Sequence, residues 1–179
     1  MKRKMGNIAF GVCGALMLVA CSRSPEARCK KGDGSACAVA GDQVRKRGGK
    51  DANATACEFY RSACGFAYFT GCANLGAMLA RHECEGEGGE ALRVLERACD
   101  SDDVTGCNNL GMLFRDGAEG APRDPVRAVA SFRKACPRSA TACDNLGATL
   151  VRDQKPGALL AKACTGGVEE ACTPPPAGP

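Results

Sequence analysis

The chain has 179 residues with 24 Lys and Arg against 20 Asp and Glu, room for one domain at a formal charge of +4. Aromatics make up 4% and tryptophan is absent, so a core must be built from Leu, Ala and Val, with 14 cysteines available as covalent staples. Three basic residues, Lys2, Arg3 and Lys4, belong to a leader, which leaves the rest near neutrality and takes away the compositional support for nucleic-acid binding.

Residues 1–20 read as an export signal: the basic start is followed by an apolar run from Ile8 to Ala20. That run is shorter than the roughly 18–20 residues needed to cross a bilayer. It ends on Leu18-Val19-Ala20-Cys21, which resembles a bacterial lipobox, so Cys21 is expected to carry lipid and to start the mature chain. Ser22, by resemblance to lipoprotein sorting patterns, favours the outer membrane. The expected location is the cell envelope, lipid-anchored and facing the periplasm. Residues 21–28 then form a short stalk, in which Ser24-Pro25-Glu26 has the form of a helix start.

Once Cys13 leaves with the signal and Cys21 takes lipid, an even twelve cysteines remain, and an exported chain oxidises them. There is no C-x-x-C and only one histidine, His82, so neither a metal site nor a cofactor is expected. Pairs eight apart fall at Cys29/Cys37, Cys64/Cys72, Cys99/Cys107 and Cys164/Cys172, with Cys136/Cys143 one residue shorter. The first members lie 35, 35, 37 and 28 residues apart, the period of a solenoid.

Each second cysteine opens a segment with glycine four positions on, at Gly41, Gly76, Gly111 and Gly147. Apolar residues fall three and seven positions on: Ala40/Val44, Leu75/Leu79, Leu110/Phe114 and Leu146/Leu150. This is the buried stripe of a helix, and the glycines mark a close backbone crossing. The segment before each first cysteine is a second helix, with Tyr60/Ala63, Leu95/Ala98, Phe132/Ala135 and Leu160/Ala163 on its buried face; Asp124-Pro125 marks one start. Each repeat is thus a helical hairpin. A disulfide across seven intervening residues clamps the second helix of one repeat to the first helix of the next, with both sulfurs at the base of the turn.

The stretch from Gly106 to Cys136, with its Asn-Leu-Gly, glycine-rich loop, Asp-Pro start and Ala-Cys end, resembles Sel-1-like repeats, in particular the disulfide-rich Hcp cysteine-rich proteins. The resemblance runs over residues 29–172, leaving 173–179 as a proline-rich tail. It implies an all-α, right-handed α/α solenoid of about four stapled hairpins. The first repeat departs from the pattern, with Val39-Ala40 in place of Asn-Leu. Cys57 and Cys84 fall outside it and are expected to pair with each other across the second hairpin.

The family resemblance also implies an enzymatic option, since Hcp proteins include penicillin-binding members with weak β-lactamase activity. Ser131-Phe132-Arg133-Lys134 matches S-x-x-K, but S-D-N and K-T-G are missing, so no catalytic residue is assigned. The plainer reading is a serine beside a core phenylalanine and a solvated Arg-Lys pair. A stronger signal is a binding face. Asn74, Asn109 and Asn145 recur two positions after the cysteine, with Met78/Arg81, Leu113/Asp116 and Thr149/Arg152 four and seven positions further on. In related solenoids that face lines a concave groove, where asparagine amides hold an extended peptide and basic residues such as Arg81 and Arg152 receive carboxylates. The alternative is that the asparagines brace the neighbouring turn. The expected function is a non-catalytic scaffold that binds a protein or peptide.

Overall fold

The computed structural model describes residues 24–118, 120–152 and 156–165. Among them the chain is helical throughout: α1 (Pro25–Cys29), α2 (Gly34–Arg47), α3 (Ala52–Gly65), α4 (Phe69–Ala80), α5 (Glu90–Asp100), α6 (Val104–Asp116), α7 (Pro125–Ala135), a single 3-10 turn (Cys136–Arg138), α8 (Ala140–Arg152) and α9 (Pro156–Thr165). The expected signal, the expected lipidation residue Cys21, Cys172 and the proline-rich tail lie outside the described residues.

Helices pair as hairpins, α2 with α3, α4 with α5 and α6 with α7, while α9 touches α8 only slightly and packs mainly on α7. The first helices α2, α4, α6 and α8 also pack on one another in succession. Among the second helices, α3 and α5 and then α5 and α7 reach each other through long side chains, Arg61 to Glu90 at 3.1 Å and Arg127 to Glu96 at 2.5 Å, whereas α9 packs directly on α7. From α2 to α7, close spacing on one side and wide spacing on the other make the first-helix side concave. The fold is an α/α solenoid.

The core lies in the seam between first and second helices. Tyr60, Leu95 and Phe132, each four positions before a first cysteine, are fully buried, as are Ala63, Ala98 and Ala135. Opposite them the first helices present glycine. A Cβ added at Gly41 would come within 2.7 Å of the Tyr60 ring, one at Gly111 within 2.6 Å of the Phe132 ring, and one at Gly76 would strike Leu95. At Gly147 no described atom lies within 4 Å, so the described residues show no close crossing there. The hydroxyl of Tyr60 donates to Asp42 at 2.5 Å, and its pKa is pushed up to about 12 by burial and by this bond.

The cysteine loops show why the spacing is eight. In three of them the preceding helix ends in a Schellman motif three and four residues past the first cysteine. Gly32 donates to the Cys29 carbonyl at 2.9 Å and Asp33 to that of Arg28 at 3.2 Å; Ala67 and Tyr68, then Asp102 and Asp103, repeat the pattern. Gly32, Ala67 and Asp102 take the left-handed conformation the motif requires, at φ of 90°, 56° and 60°. The next residue is already the N-cap of the following helix. Asp33 accepts from the Ala36 amide at 2.9 Å and Asp103 from that of Gly106 at 2.7 Å. The Ala36 amide, then Ser35 and Arg28, hold the Asp33 carboxyl down to about 2.

Four residues to the cap and four more to one helical turn bring the sulfurs together. Cys29–Cys37 and Cys64–Cys72 are bonded with Cα atoms 4.5 Å apart, and Cys99–Cys107 with Cα atoms 4.3 Å apart. The pairings are those expected, but the bridges lie deeper than the base of a turn. Cys37, Cys72 and Cys107 are 0% exposed, because each stands one turn inside its first helix, on the side that packs against the preceding second helix. Cys37 is buried with Ala38 and Ala63, and Cys72 with Ala73 and Ala98, so these sulfurs are part of the core. The shorter pair Cys136–Cys143 has no left-handed residue: the chain turns in 3-10 form through Pro137, and Ser139 caps α8 by accepting from Ala142.

Cys57–Cys84 is also bonded, tying α3 to the loop after α4. Cys164 is disulfide-bonded, and its expected partner Cys172 is outside the described residues. One boundary shifts. The stretch expected as a stalk, 21–28, already contains helix: Ser24 caps α1 by accepting from Ala27 at 3.1 Å, and α1 packs on α2 as the second helix of a preceding hairpin would.

Candidate functional site

The concave side is built by the first helices, each held at its start by a disulfide and all but α4 also by a side-chain cap, so that equivalent positions recur along the stack. Cys37 and Cys72 are anchors for that side and offer no sulfur to a ligand, being fully buried. The asparagines lie between these helices, half-buried. The Asn109 amide donates to the Ala73 carbonyl of α4 at 3.2 Å. That of Asn145 donates to Asn108 of α6 at 2.9 Å and its oxygen accepts from Arg115 at 3.2 Å. Asn109 and Asn145 therefore brace successive repeats, the alternative that the spacing left open. Asn74 makes no side-chain hydrogen bond to the described residues.

The positions four residues beyond the asparagines do not form an exposed stripe. Met78 and Thr149 are fully buried and Leu113 is 4% exposed, because these side chains fill the seam where one first helix packs on the one before it. Further on, the basic residues are exposed but ion-paired. Arg81 bonds Glu83 at 2.7 Å, and Arg152 reaches Asp116 at 3.2 Å across the repeat boundary. Asp116 is shared with Arg115 at 2.7 Å, and Arg115, then Arg152, hold its carboxyl below the ordinary range.

What the concave side does offer is a cleft between α4 and α6. It is lined by Ala77, Ala80, Leu95, Asn109, Met112 and Leu113, with Arg81 and Asp116 at its mouth, and has a volume of about 140 Å³. A space of roughly 150 Å³ accepts a benzene-sized group. Small-molecule sites that enclose their ligand are typically about 300–1,000 Å³. The cleft therefore suits one apolar side chain of a larger partner. Met112, 37% exposed at its edge, bends toward α6 itself, its sulfur 3.7 Å from the Asn108 amide. A wider hollow of about 620 Å³ faces outward beside Arg61, Glu87, Glu90 and Arg93, but these charges pair with one another.

Sequence reasoning missed Arg115, Asn108 and Met112. Arg115 links Asp116, Asn145 and the Phe132 ring, 6.0 Å from its centroid. The neighbouring asparagine at 108 and the methionine five positions past Cys107 were the only signals for them.

The S-x-x-K residues have other work. Ser131 is 7% exposed and its hydroxyl donates to the Arg127 carbonyl of its own helix at 2.9 Å. Lys134 caps the end of α5, donating to the Cys99 carbonyl at 2.7 Å and pairing with Asp102 at 3.0 Å. Arg133, expected in solvent, is 6% exposed, and burial lowers its pKa. It sits on the α7 face turned toward the stack. His82 closes α4: at φ 55° it donates to the Leu79 carbonyl in another Schellman turn. Among the described residues no group of three or more His, Cys, Asp or Glu is placed to hold a metal.

No family model matches the sequence, and no curated protein matches it significantly. Solved structures do match its fold. One is c5321, a protective antigen present in uropathogenic Escherichia coli strains that displays an SLR fold: TM-score 0.65, 20% identity, with 87% of this chain and 36% of that one covered. Another is a Sel1 repeat protein from Oxalobacter formigenes: TM-score 0.59, 17% identity, with 87% and 66% covered. The chain thus spans about a third of the first neighbour and just under two thirds of the second. At these identities the likeness concerns the fold, and the fold is that of Sel1 repeats.

Proposed function

We propose that this protein is an envelope lipoprotein that acts as a non-catalytic scaffold, binding a protein or peptide partner on its concave side. The observation that carries the reading is the cleft between α4 and α6: an apolar floor the size of one side chain, with a cation and an anion at its mouth. Asn74 has an amide to offer an extended backbone nearby, and Asn109 retains its carbonyl oxygen. The structural neighbours, an SLR-fold antigen and a Sel1 repeat protein, are compatible with a scaffold role. The lipid anchor rests on the Leu-Val-Ala-Cys motif ending at Cys21.

Ala77 is half-buried in the cleft wall, so Ala77→Trp fills the cleft from within. Affinity capture from detergent-solubilised envelope should recover a partner with the unaltered protein and lose it with this variant, at unchanged melting temperature. Equal recovery would place binding elsewhere.

A further inference from the structure

Charge is unevenly distributed along the chain. Residues 22–50 hold eight basic and three acidic residues, whereas 51–179 hold thirteen and seventeen. The near-neutral total therefore conceals a basic N-terminal repeat on an acidic body. The described arginines of that repeat are occupied: Arg28 pairs with Asp33, Arg45 with Glu83 and Arg47 with Glu26. The lysines are not. Lys30, Lys31, Lys46 and Lys50 are all exposed and make no ion pair with the described residues. The fifth lysine whose side chain is described, Lys134, is bound to Asp102 and the end of α5.

These lysines surround an unusual flank of α2. In later repeats the positions two and six past the cysteine pack on the preceding first helix, with Met78, Leu113 and Thr149 buried there. In α2 the same positions are Val39, 46% exposed, and Gln43, exposed, because no first helix precedes it among the described residues. Lys46 continues that stripe one turn on, Lys50 follows the end of α2, and Lys30 and Lys31 stand in the turn before its start. The open end of the solenoid is thus a polar, cationic face.

We propose that this face docks on an anionic phospholipid leaflet and lays the solenoid against the bilayer by its first repeat. The lipoprotein reading supplies the position of the face. Cys21 stands three residues before Ser24, and three residues span at most about 11 Å, so a lipid on Cys21 holds Ser24, at the start of the basic repeat, close to the headgroups. Basic residues beside a lipid anchor add to its hold when the surface is anionic. With its first repeat at the membrane, the rest of the concave side projects away from it and stays open to a partner.

The test uses the mature chain as Cys21→Ser, exported behind an ordinary secretory signal and oxidised, so that no acyl group contributes. Flotation with vesicles of phosphatidylcholine alone or mixed with phosphatidylglycerol reads the binding. The chain should float with the mixed vesicles only, and high salt should release it. Lys30→Glu, Lys31→Glu, Lys46→Glu and Lys50→Glu combined should weaken binding on the order of a hundredfold while the helical circular-dichroism signal is unchanged. Absence of binding to mixed vesicles at low salt, equal binding to neutral ones, or retention by heparin without vesicle binding would each overturn the proposal. Incorporation of labelled palmitate by the full chain, lost in Cys21→Ser, reads the anchor separately, so failure of the anchor and failure of the docking face give different results.

Discussion

Glycine four positions past the second cysteine sets how closely a first helix approaches the second helix of its own hairpin. At Gly111 the facing atoms belong to the fully buried ring of Phe132, which has no room to retreat. Gly111→Ala should therefore destabilise the protein by about 1–3 kcal/mol, the usual range for overpacking. Gly147 holds the same place in the motif but is exposed, with no described atom near its missing Cβ. Gly147→Ala should stabilise by up to about 1 kcal/mol through helix propensity alone. Denaturant unfolding of the oxidised variants gives both values, and shifts of the same sign would contradict this account of the crossing. The four glycines look identical in sequence. What separates them is the partner, a tyrosine, leucine or phenylalanine in three repeats and open space in the fourth.

At the scale of the element, the hairpin joints carry two kinds of restraint. The local disulfides close loops whose path is already set by backbone hydrogen bonds, a Schellman turn in three of them and a 3-10 turn with the Ser139 cap in Cys136–Cys143, whereas Cys57–Cys84 fastens the longer loop after α4 to α3. On the loop-closure model the local bridges contribute about 2.5 kcal/mol each and the longer one about 3.6 kcal/mol. Cys57→Ala with Cys84→Ala should lower stability more than Cys136→Ala with Cys143→Ala, and should open the 81–89 segment to protease. The reverse order would show that the turns depend on their disulfides more than their hydrogen bonds imply. The spacing of eight was legible because it counts residues between sulfurs. The depth of the bridges was not, since the burial of Cys37 and Cys72 depends on Ala63 and Ala98 in the helices packed over them. The cap was only partly so, since Asp33 and Asp103 look like caps but Tyr68, at the equivalent place, does not. The left-handed Ala67 and Asp102 carried no glycine signal at all.

Over the whole molecule, hairpins and buried stripes could be read from the sequence because each repeat states its own periodicity. The seams between repeats could not. Met78, Leu113 and Thr149 follow the asparagines at helical spacing and resemble a groove face until the preceding helix is in place to cover them. Arg81 and Arg152 looked free because their partners, Glu83 and Asp116, lie in a loop and in another repeat. Asn109 and Asn145 became braces for the same reason: the carbonyl of Ala73 and the amide of Asn108 are 36 and 37 residues away in sequence. Among the described residues, what the concave side offers a ligand between α4 and α6 is a cleft for one side chain, narrower than the continuous channel the repeat pattern implies.

That cleft can be examined in the intact envelope with a photo-crosslinking amino acid placed singly at Met112, on its edge, or at Arg93, exposed on the outward surface. Irradiation should give a defined adduct of higher mass from position 112 and none from position 93. An adduct from position 93 with none from position 112 would contradict the claim that this solenoid binds through its concave side.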